Sequence, residues 1–181
     1  QEQLRFRGHA IEARLYAEDP VTYLPAVGRL ALLDPPLGPG VRVDAGLTTG
    51  DEVTVHYDPM IAKLIVAGED RAAAVDRLRR ALDEFAVLGL TTNLPLLRAI
   101  PAHPAYAAGD THTGFLAEHR LDAGPPATVP AEVLAAAALV ELGERRAEGD
   151  PFAARWRLGG GSVPLRYESD GASHSVGARP A

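Results

Sequence analysis

The sequence predicts an α+β fold, in which strands come first along the chain and helices follow. Residues 11–18 alternate between apolar and polar side chains, which is the period of a half-buried β-strand. Residues 61–67 are apolar on both faces except at Lys63, and this pattern indicates a buried central strand. Beyond Asp70, apolar side chains recur at helical spacing. These three segments predict a sheet with a helix packed against it.

Composition excludes several classes of protein. The chain has 181 residues, 46% of them hydrophobic, so it can form one good core or two small ones. A net charge of −6 argues against a nucleic-acid surface. The absence of cysteine excludes disulfides, thiolate metal sites and a cysteine nucleophile, and it is compatible with a cytoplasmic location. The longest apolar run, residues 133–140, is far shorter than the roughly 20 residues that a membrane span needs.

The first predicted strand closes at Asp19-Pro20. It places Ile11, Ala13 and Leu15 on one face, and it places Glu12 and Arg14 on the other. From the residues alone, the pair of Glu12 and Arg14 is an ion pair on the solvated face of a sheet, or part of a site.

Further strands are predicted downstream. Residues 29–33 read as a second strand, and residues 34–40 are a loop rich in proline and glycine. Residues 41–45 alternate as a third strand, with Arg42 and Asp44 on its polar face.

The segment 52–67 should break into two extended pieces at Asp58-Pro59, because proline lacks an amide donor. Lys63 is the only lysine among 18 basic residues, which indicates that this position resists arginine. Since an unpaired buried ammonium is costly, Lys63 must either emerge at the edge of the sheet or meet a partner.

Helices dominate the rest of the chain. The helix after Asp70 has an apolar stripe and is predicted to end at Gly89. Thr92 or Asn93 should cap a short helix that stops before Pro101. Residues 111–116 introduce another short helix, residues 121–130 form a linker, and residues 131–147 form a longer helix. Two or three short strands should follow at residues 155–158, 164–167 and 173–176.

Two motifs resemble those of a known family. The run R-G-H-A-I-E-A-R-L-Y-A-E-D-P at residues 7–20 resembles the strand that opens the C-terminal domain of biotin carboxylase, and Y-D-P-M-I-A-K-L at residues 57–64 resembles its second signature. This resemblance implies an antiparallel sheet with packed helices. It also implies that Arg14 reaches the active site and contacts bicarbonate and the ureido ring of biotin. A planar, permanently charged guanidinium suits that task, because it can hold a small oxyanion through two parallel hydrogen bonds.

A third resemblance concerns the end of the chain. The helix at 131–147, D-P-F at 150–152 and W-R-L-G-G at 156–160 resemble the start of the domain that follows biotin carboxylase in acyl-CoA carboxylase α subunits. There, a helix is wrapped by an antiparallel barrel that docks the carboxyltransferase β subunit. The resemblance therefore implies a domain over residues 1–120, a linker over 121–130, and a helix with a partial antiparallel β-barrel over 131–181.

The same resemblance implies roles for other residues and groups. Glu12, Asp58 and Lys63 are expected to support Arg14, with Glu12 or Asp58 orienting its guanidinium, and Arg42 is expected to lie near a two-fold dimer contact. No metal ligand is expected in this chain. Biotin would arrive on a carrier domain, whereas ATP with Mg or Mn would bind an ATP-grasp domain upstream of Gln1.

The function implied is that of a ligase, the biotin carboxylase part of an acyl-CoA carboxylase of methylcrotonyl or propionyl type. It would carboxylate carrier-bound biotin with ATP and bicarbonate, and the chain alone is expected to be inactive. One alternative is a non-catalytic interaction module, which offers a dimer surface around Arg42 and a docking surface after residue 125. Another alternative is a pyruvate or urea carboxylase.

Overall fold

The computed structural model describes residues 5, 7–121, 123, 129–147, 163–169 and 172–178. The chain divides into two compact units, residues 1–125 and 126–181. In chain order, the first unit contains β1 (His9–Tyr16), β2 (Gly28–Arg29), β3 (Leu32–Asp34), β4 (Val41–Ala45), β5 (Glu52–Val53), β6 (Met60–Gly68), α1 (Arg71–Glu84), β7 (Ala86–Leu88), α2 (Leu94–Ala102), α3 (Pro104–Ala108) and α4 (Phe115–Glu118). The second contains α5 (Ala131–Ala147), β8 (Val163–Ser169) and β9 (Ala172–Ala178). The strands pair antiparallel, so the α+β prediction is confirmed.

The main sheet of the first unit has the strand order β1-β6-β4. Its central strand is β6, as the apolar run predicted. One face of the sheet packs against α1 and buries the alternate residues of β1 together with the predicted stripe of the helix. The buried side chains include Ile11, Ala13, Leu15, Val75, Leu78, Leu82 and Phe85. The opposite face carries the polar side chains, which positions the candidate site.

An irregularity interrupts the pairing of β1 with β6. Leu15 pairs with Ala62, whereas Tyr16 pairs with Met60, so Ile61 is an extra residue on β6. Ile61 and Ala62 are consequently both buried although they are neighbours in the strand. From Ala62 onward the alternation is regular, and it turns Lys63 away from the core.

Helix α1 begins as predicted and ends earlier. The Asp70 carboxylate accepts a hydrogen bond from the Ala73 amide at 2.8 Å, which caps the N-terminus. At the other end, Arg98 donates to the carbonyl oxygens of Leu82 at 2.9 Å and Phe85 at 3.1 Å. A side chain from α2 therefore satisfies the last turn, and the helix stops at Glu84 rather than Gly89.

Gly89 serves a different purpose from the predicted helix cap. It follows β7, which pairs with β3, and its φ angle is +107°. A Cβ atom at this position would lie 2.6 Å from the backbone nitrogen of Ala31. Glycine is thus required because two backbone segments approach closely.

Two other predicted elements have different bounds. Residues 29–33 do not form one strand, because β2 pairs with β5 whereas β3 pairs with β7. Helix α2 runs through Pro101 to Ala102. Proline lies in the last turn, where its missing amide removes little from so short a helix.

The described part of the second unit comprises helix α5 and the antiparallel strands β8 and β9. Ala138 of α5 and Leu165 of β8 are buried together, with Leu142, Tyr167 and Val176 partly buried around them. The Tyr167 hydroxyl donates to the Glu141 carboxylate at 2.9 Å. Residues 155–158, predicted as a strand, lie outside the described residues. No described helix is both long and apolar enough to cross a membrane.

Candidate functional site

Arg14 lies on the polar face of β1, between two residues of the core. Its neighbours Ala13 and Leu15 are buried, so the strand is anchored on both sides of it. The Arg14 side chain itself is 57% exposed. The fold therefore presents a guanidinium on a strand whose opposite face cannot turn outward without losing core contacts.

Glu12 holds the near side of that guanidinium. Its Oε1 accepts a hydrogen bond from Arg14 Nε at 2.7 Å. The two residues are separated by one position, so the alternation of the strand places both on the same face. The hydrogen bond and the negative charge of Glu12 raise the pKa of Arg14, and a smaller contribution comes from the Tyr16 hydroxyl. Glu12 leaves the terminal Nη groups available to an incoming anion.

Lys63 lies opposite Arg14 across the sheet. Lys63 of β6 pairs with Arg14 of β1 on one side and with Asp44 of β4 on the other. Asp44 already accepts two hydrogen bonds from Arg42, both of 2.9 Å. These bonds are the main cause of the lowered pKa of Asp44, and the charge of Lys63 lowers it further. None of the three ion pairs among the described residues includes Lys63.

Asp58 does not meet Arg14. Its carboxylate accepts a hydrogen bond from the Met60 amide at 2.8 Å and so closes the turn that leads into β6. Of the two carboxylates proposed to orient Arg14, the geometry brings only Glu12 to it.

A groove of about 400 Å³ runs along the outer edge of β1. It is lined by Glu12, Arg14 and Tyr16 of β1 and by Leu97 and Ile100 of α2. The groove therefore offers a cation next to apolar side chains, so it could bind a small anion or a ring with polar edges.

Asn93 is a residue of this groove that sequence reasoning assigned elsewhere. It was predicted as a helix cap, but its side chain bonds to the backbone of Arg14 and Tyr16. The sequence carried no signal for this contact, because 77 residues separate Asn93 from Tyr16.

The described residues do not bring three His, Asp or Glu side chains together at distances that would hold a metal ion. The Arg14 guanidinium can bind an oxyanion, because it offers parallel hydrogen-bond donors in a fixed plane.

Comparison with known proteins identifies the family. Residues 12–118 match the family model of the biotin carboxylase C-terminal domain. The mitochondrial methylcrotonoyl-CoA carboxylase subunit alpha of Dictyostelium discoideum is 44% identical over 167 residues, which are 88% of this chain and 24% of that protein. Biotin carboxylase of Halalkalibacterium halodurans is 43% identical over 119 residues, which are 66% of this chain and 26% of that protein.

A solved structure shares the fold. The biotin carboxylase domain of Hydrogenobacter thermophilus 2-oxoglutarate carboxylase, a dimer in complex with MgADP, ADP and bicarbonate, is 40% identical with a TM-score of 0.64. The similarity covers 66% of this chain and 26% of that one. The chain thus spans about a quarter of the length of these proteins. Since the family model matches more than half of its residues, the chain belongs to the biotin carboxylase C-terminal domain family.

Proposed function

We propose that this chain is part of the biotin carboxylase subunit of a biotin-dependent acyl-CoA carboxylase, and that Arg14 is its catalytic contribution. The observation that carries the proposal is the exposed guanidinium, held at Nε by Glu12 on a strand anchored in the core. In the complete enzyme, ATP with Mg or Mn on an ATP-grasp domain activates bicarbonate, and biotin arrives on a carrier domain.

Arg14 performs two tasks in this proposal. Its Nη groups bind the bicarbonate oxyanion, and they stabilise the negative charge that develops on the ureido oxygen of biotin. A preorganised cation serves both steps without reorganisation, because Glu12 already fixes the plane of the guanidinium. Lysine would supply charge without the parallel donors.

The acyl-CoA carboxylase assignment rests on the length of the match. The similarity to the methylcrotonoyl-CoA carboxylase subunit covers 88% of the chain, whereas that to the biotin carboxylase covers 66%. The longer match reaches into the second unit, for which we propose the start of a partial antiparallel β-barrel. We therefore propose the methylcrotonyl type, and we keep the propionyl type as a second acyl-CoA carboxylase, since the match to the mouse propionyl-CoA carboxylase alpha chain covers 65% of this chain. A pyruvate or urea carboxylase is the less favoured alternative, because a pyruvate carboxylase structure that covers 79% of this chain is 31% identical, against 44% for the methylcrotonoyl-CoA carboxylase subunit.

The decisive experiment replaces Arg14 in a carboxylase that carries this chain behind an ATP-grasp domain. Bicarbonate-dependent ATP hydrolysis is measured with free biotin for the wild type, Arg14→Ala and Arg14→Lys. The alanine variant should lose roughly 10² to 10³ in rate, which is typical of removing one preorganised charge. The Arg14→Lys variant should keep more of the wild-type rate than the alanine variant, but not all of it. Arg79→Ala, on the exposed side of α1, is the matched control. If Arg14→Ala is as active as Arg79→Ala, the catalytic assignment of Arg14 is refuted.

Glu12 is tested in the same assay as a positioning residue. Glu12→Gln keeps an acceptor oxygen but removes the charge, so the rate should fall by about 10-fold, less than for Arg14→Ala. Glu69→Gln changes an exposed carboxylate next to α1 and should leave the rate unchanged. Equal rates for the Glu12 and Glu69 variants would remove Glu12 from the proposal.

A second candidate function, docking of other subunits, is favoured by the surface of α5. Val133, Leu139 and Val140 are exposed on this helix, and Leu139 is 72% exposed. We propose that α5 docks a carboxyltransferase β subunit and that the exposed surface around Arg42 contributes to a homodimer. Mixing the chain with methylcrotonyl- and propionyl-type β subunits and measuring the mass of the complex tests the docking. Leu139→Asp should abolish the complex, and an unchanged complex would contradict this role.

A further inference from the structure

Asn93 joins α2 to β1 through three hydrogen bonds. Its backbone amide donates to the Tyr16 carbonyl at 3.1 Å, and its side-chain Oδ1 accepts from the Tyr16 amide at 3.0 Å. Its Nδ2 group donates to the carbonyl oxygen of Arg14 at 3.2 Å. The residue is only 7% exposed. A side-chain amide thus pairs with the backbone carbonyl before Leu15 and the backbone amide after it, as a residue of a neighbouring strand would.

This use of Asn93 is not the one that its position in the sequence favours. Asparagine immediately before a helix normally accepts a hydrogen bond from an amide of the first turn. Asn93 makes no such bond, although it occupies the N-cap position of α2. The Thr92 hydroxyl instead accepts a long bond of 3.4 Å from the Leu94 amide. The side chain of Asn93 is therefore committed to β1.

The contact lies where β1 has least support from the sheet. β1 is an edge strand, with β6 on one side only. Its regular pairing with β6 ends between Leu15 and Tyr16, one residue beyond Arg14. Glu12 fixes the guanidinium relative to β1, but it cannot hold the strand itself, because both residues belong to that strand. Asn93 supplies the missing restraint from a different element.

We propose that Asn93 is a positioning residue for Arg14, which fixes the backbone of residues 14–16 and thereby the direction of the guanidinium in the groove. The consequence for the reaction rests on the function proposed for Arg14. The position requires a donor and an acceptor side by side. Aspartate lacks the donor and would set its charge against the Arg14 carbonyl, whereas alanine would leave the Arg14 carbonyl and the Tyr16 amide unpaired.

The positioning is tested in this 181-residue chain by NMR. Exchange of the Arg14 Nε–H proton with water is compared in the wild type, Asn93→Ala, Asn93→Asp and Thr92→Ala. Both Asn93 variants should speed this exchange by about 10-fold, because a loosened strand also loosens the bond to Glu12. Thr92→Ala removes a buried hydroxyl that bonds only to its own helix, so it should not speed the exchange. Equal exchange in the Asn93 and Thr92 variants would overturn the inference.

The aspartate variant adds a readout that simple structural damage would not reproduce. A protonated carboxyl can donate to the Arg14 carbonyl, whereas a carboxylate cannot. The ratio of the exchange rates of Asn93→Asp and wild type should therefore shrink as the pH is lowered from 7 to 5. A ratio that does not change with pH would argue against the bond. This variant also decides the question if the alanine variant does not fold, because it keeps the shape and the acceptor of asparagine.

Turnover separates this inference from the proposed function. In the carboxylase used to test Arg14, Asn93→Ala should lower kcat/KM for biotin by about 10-fold and leave KM for ATP unchanged, because the positioned group acts on biotin and bicarbonate. If Arg14→Ala abolishes turnover but Asn93→Ala matches Thr92→Ala, the inference is wrong and the proposed function stands. If Arg14→Ala has no effect, the proposed function fails, and the exchange measurement still decides whether Asn93 positions Arg14.

Discussion

Arg14 and Lys63 are directly opposite each other on neighbouring strands, with both side chains on the same face of the sheet. Like charges at directly opposed positions destabilise a sheet. The nearest carboxylates give limited relief, because Glu12 bonds to Arg14 alone and Asp44 is engaged by Arg42. This face of the sheet therefore carries two neighbouring cations, and an anion bound between them would reduce their repulsion.

The repulsion between these two cations is measurable. We expect a double-mutant cycle with Arg14→Gln and Lys63→Gln to give an unfavourable coupling between the charges in the free energy of unfolding. The coupling should fall as salt is added from 10 mM to about 1 M, where screening shortens to roughly 3 Å. Chemical denaturation at both salt concentrations provides the measurement. A coupling close to zero at low salt would show that the side chains turn apart and would contradict the expectation.

Arg98 should stabilise the end of α1. Replacing it with glutamine removes the donors to the carbonyl oxygens of Leu82 and Phe85, and we expect the free energy of unfolding to fall by about 1 to 2 kcal/mol. Arg79→Gln is the control, since this arginine lies on the exposed side of the same helix. Urea denaturation of both variants checks the expectation. Equal losses would mean that Arg98 does not cap the helix.

Gly89 should not accept a side chain. Alanine there would have to adopt a φ of +107° and to displace the backbone at Ala31, so we expect a loss of about 1 to 3 kcal/mol in stability. Gly46→Ala is the matched control, because a Cβ at Gly46 meets nothing within 4 Å. Thermal unfolding of the two variants tests this difference. An alanine tolerated equally at both positions would contradict the close approach.

Asp19 should make the turn after β1 sensitive to acid. Its carboxylate accepts hydrogen bonds from the amides of Thr22 and Val21, and these bonds lower the pKa of Asp19. A carboxyl group with a lowered pKa in the folded state stabilises the protein above its ordinary pKa of about 4, and this stabilisation is lost as the pH falls below it.

The test compares the Tm of the wild type with that of Asp19→Asn between pH 7 and pH 2.5. The wild type should melt at a higher temperature at pH 7, and the gap should close as the pH falls below about 4. A gap of the same size at pH 2.5 and pH 7 would mean that the charge of Asp19 contributes nothing to the turn.

The elements that sequence predicted well are those whose signals are local. The alternation around Arg14 and the apolar stripe of α1 are period effects, and both segments bury the faces that the patterns indicate. Central placement of β6 follows from its apolar residues on both faces. The ion pair of Glu12 with Arg14 was also predictable, because residues two apart share a face of a strand.

What the sequence could not reveal depends on partners far along the chain. The end of α1 is set by Arg98 from α2, and Gly89 is required by a backbone approach to Ala31. Asn93 carries a strong local signal for helix capping, and a long-range contact overrides it. In each case the residue type was informative, but its partner appeared only in the fold.

The extra residue at Ile61 makes β6 one residue longer than β1 over this stretch, and a change of length can be absorbed there. Deleting Ile61 would leave Met60 opposite Tyr16 and Ala62 opposite Leu15, so Lys63 would keep its outward facing. A deletion beyond Ala62 would instead shift the register and carry core side chains such as Leu64 and Val66 into water. Length variation in β6 should therefore be tolerated at this bend and rejected further along the strand.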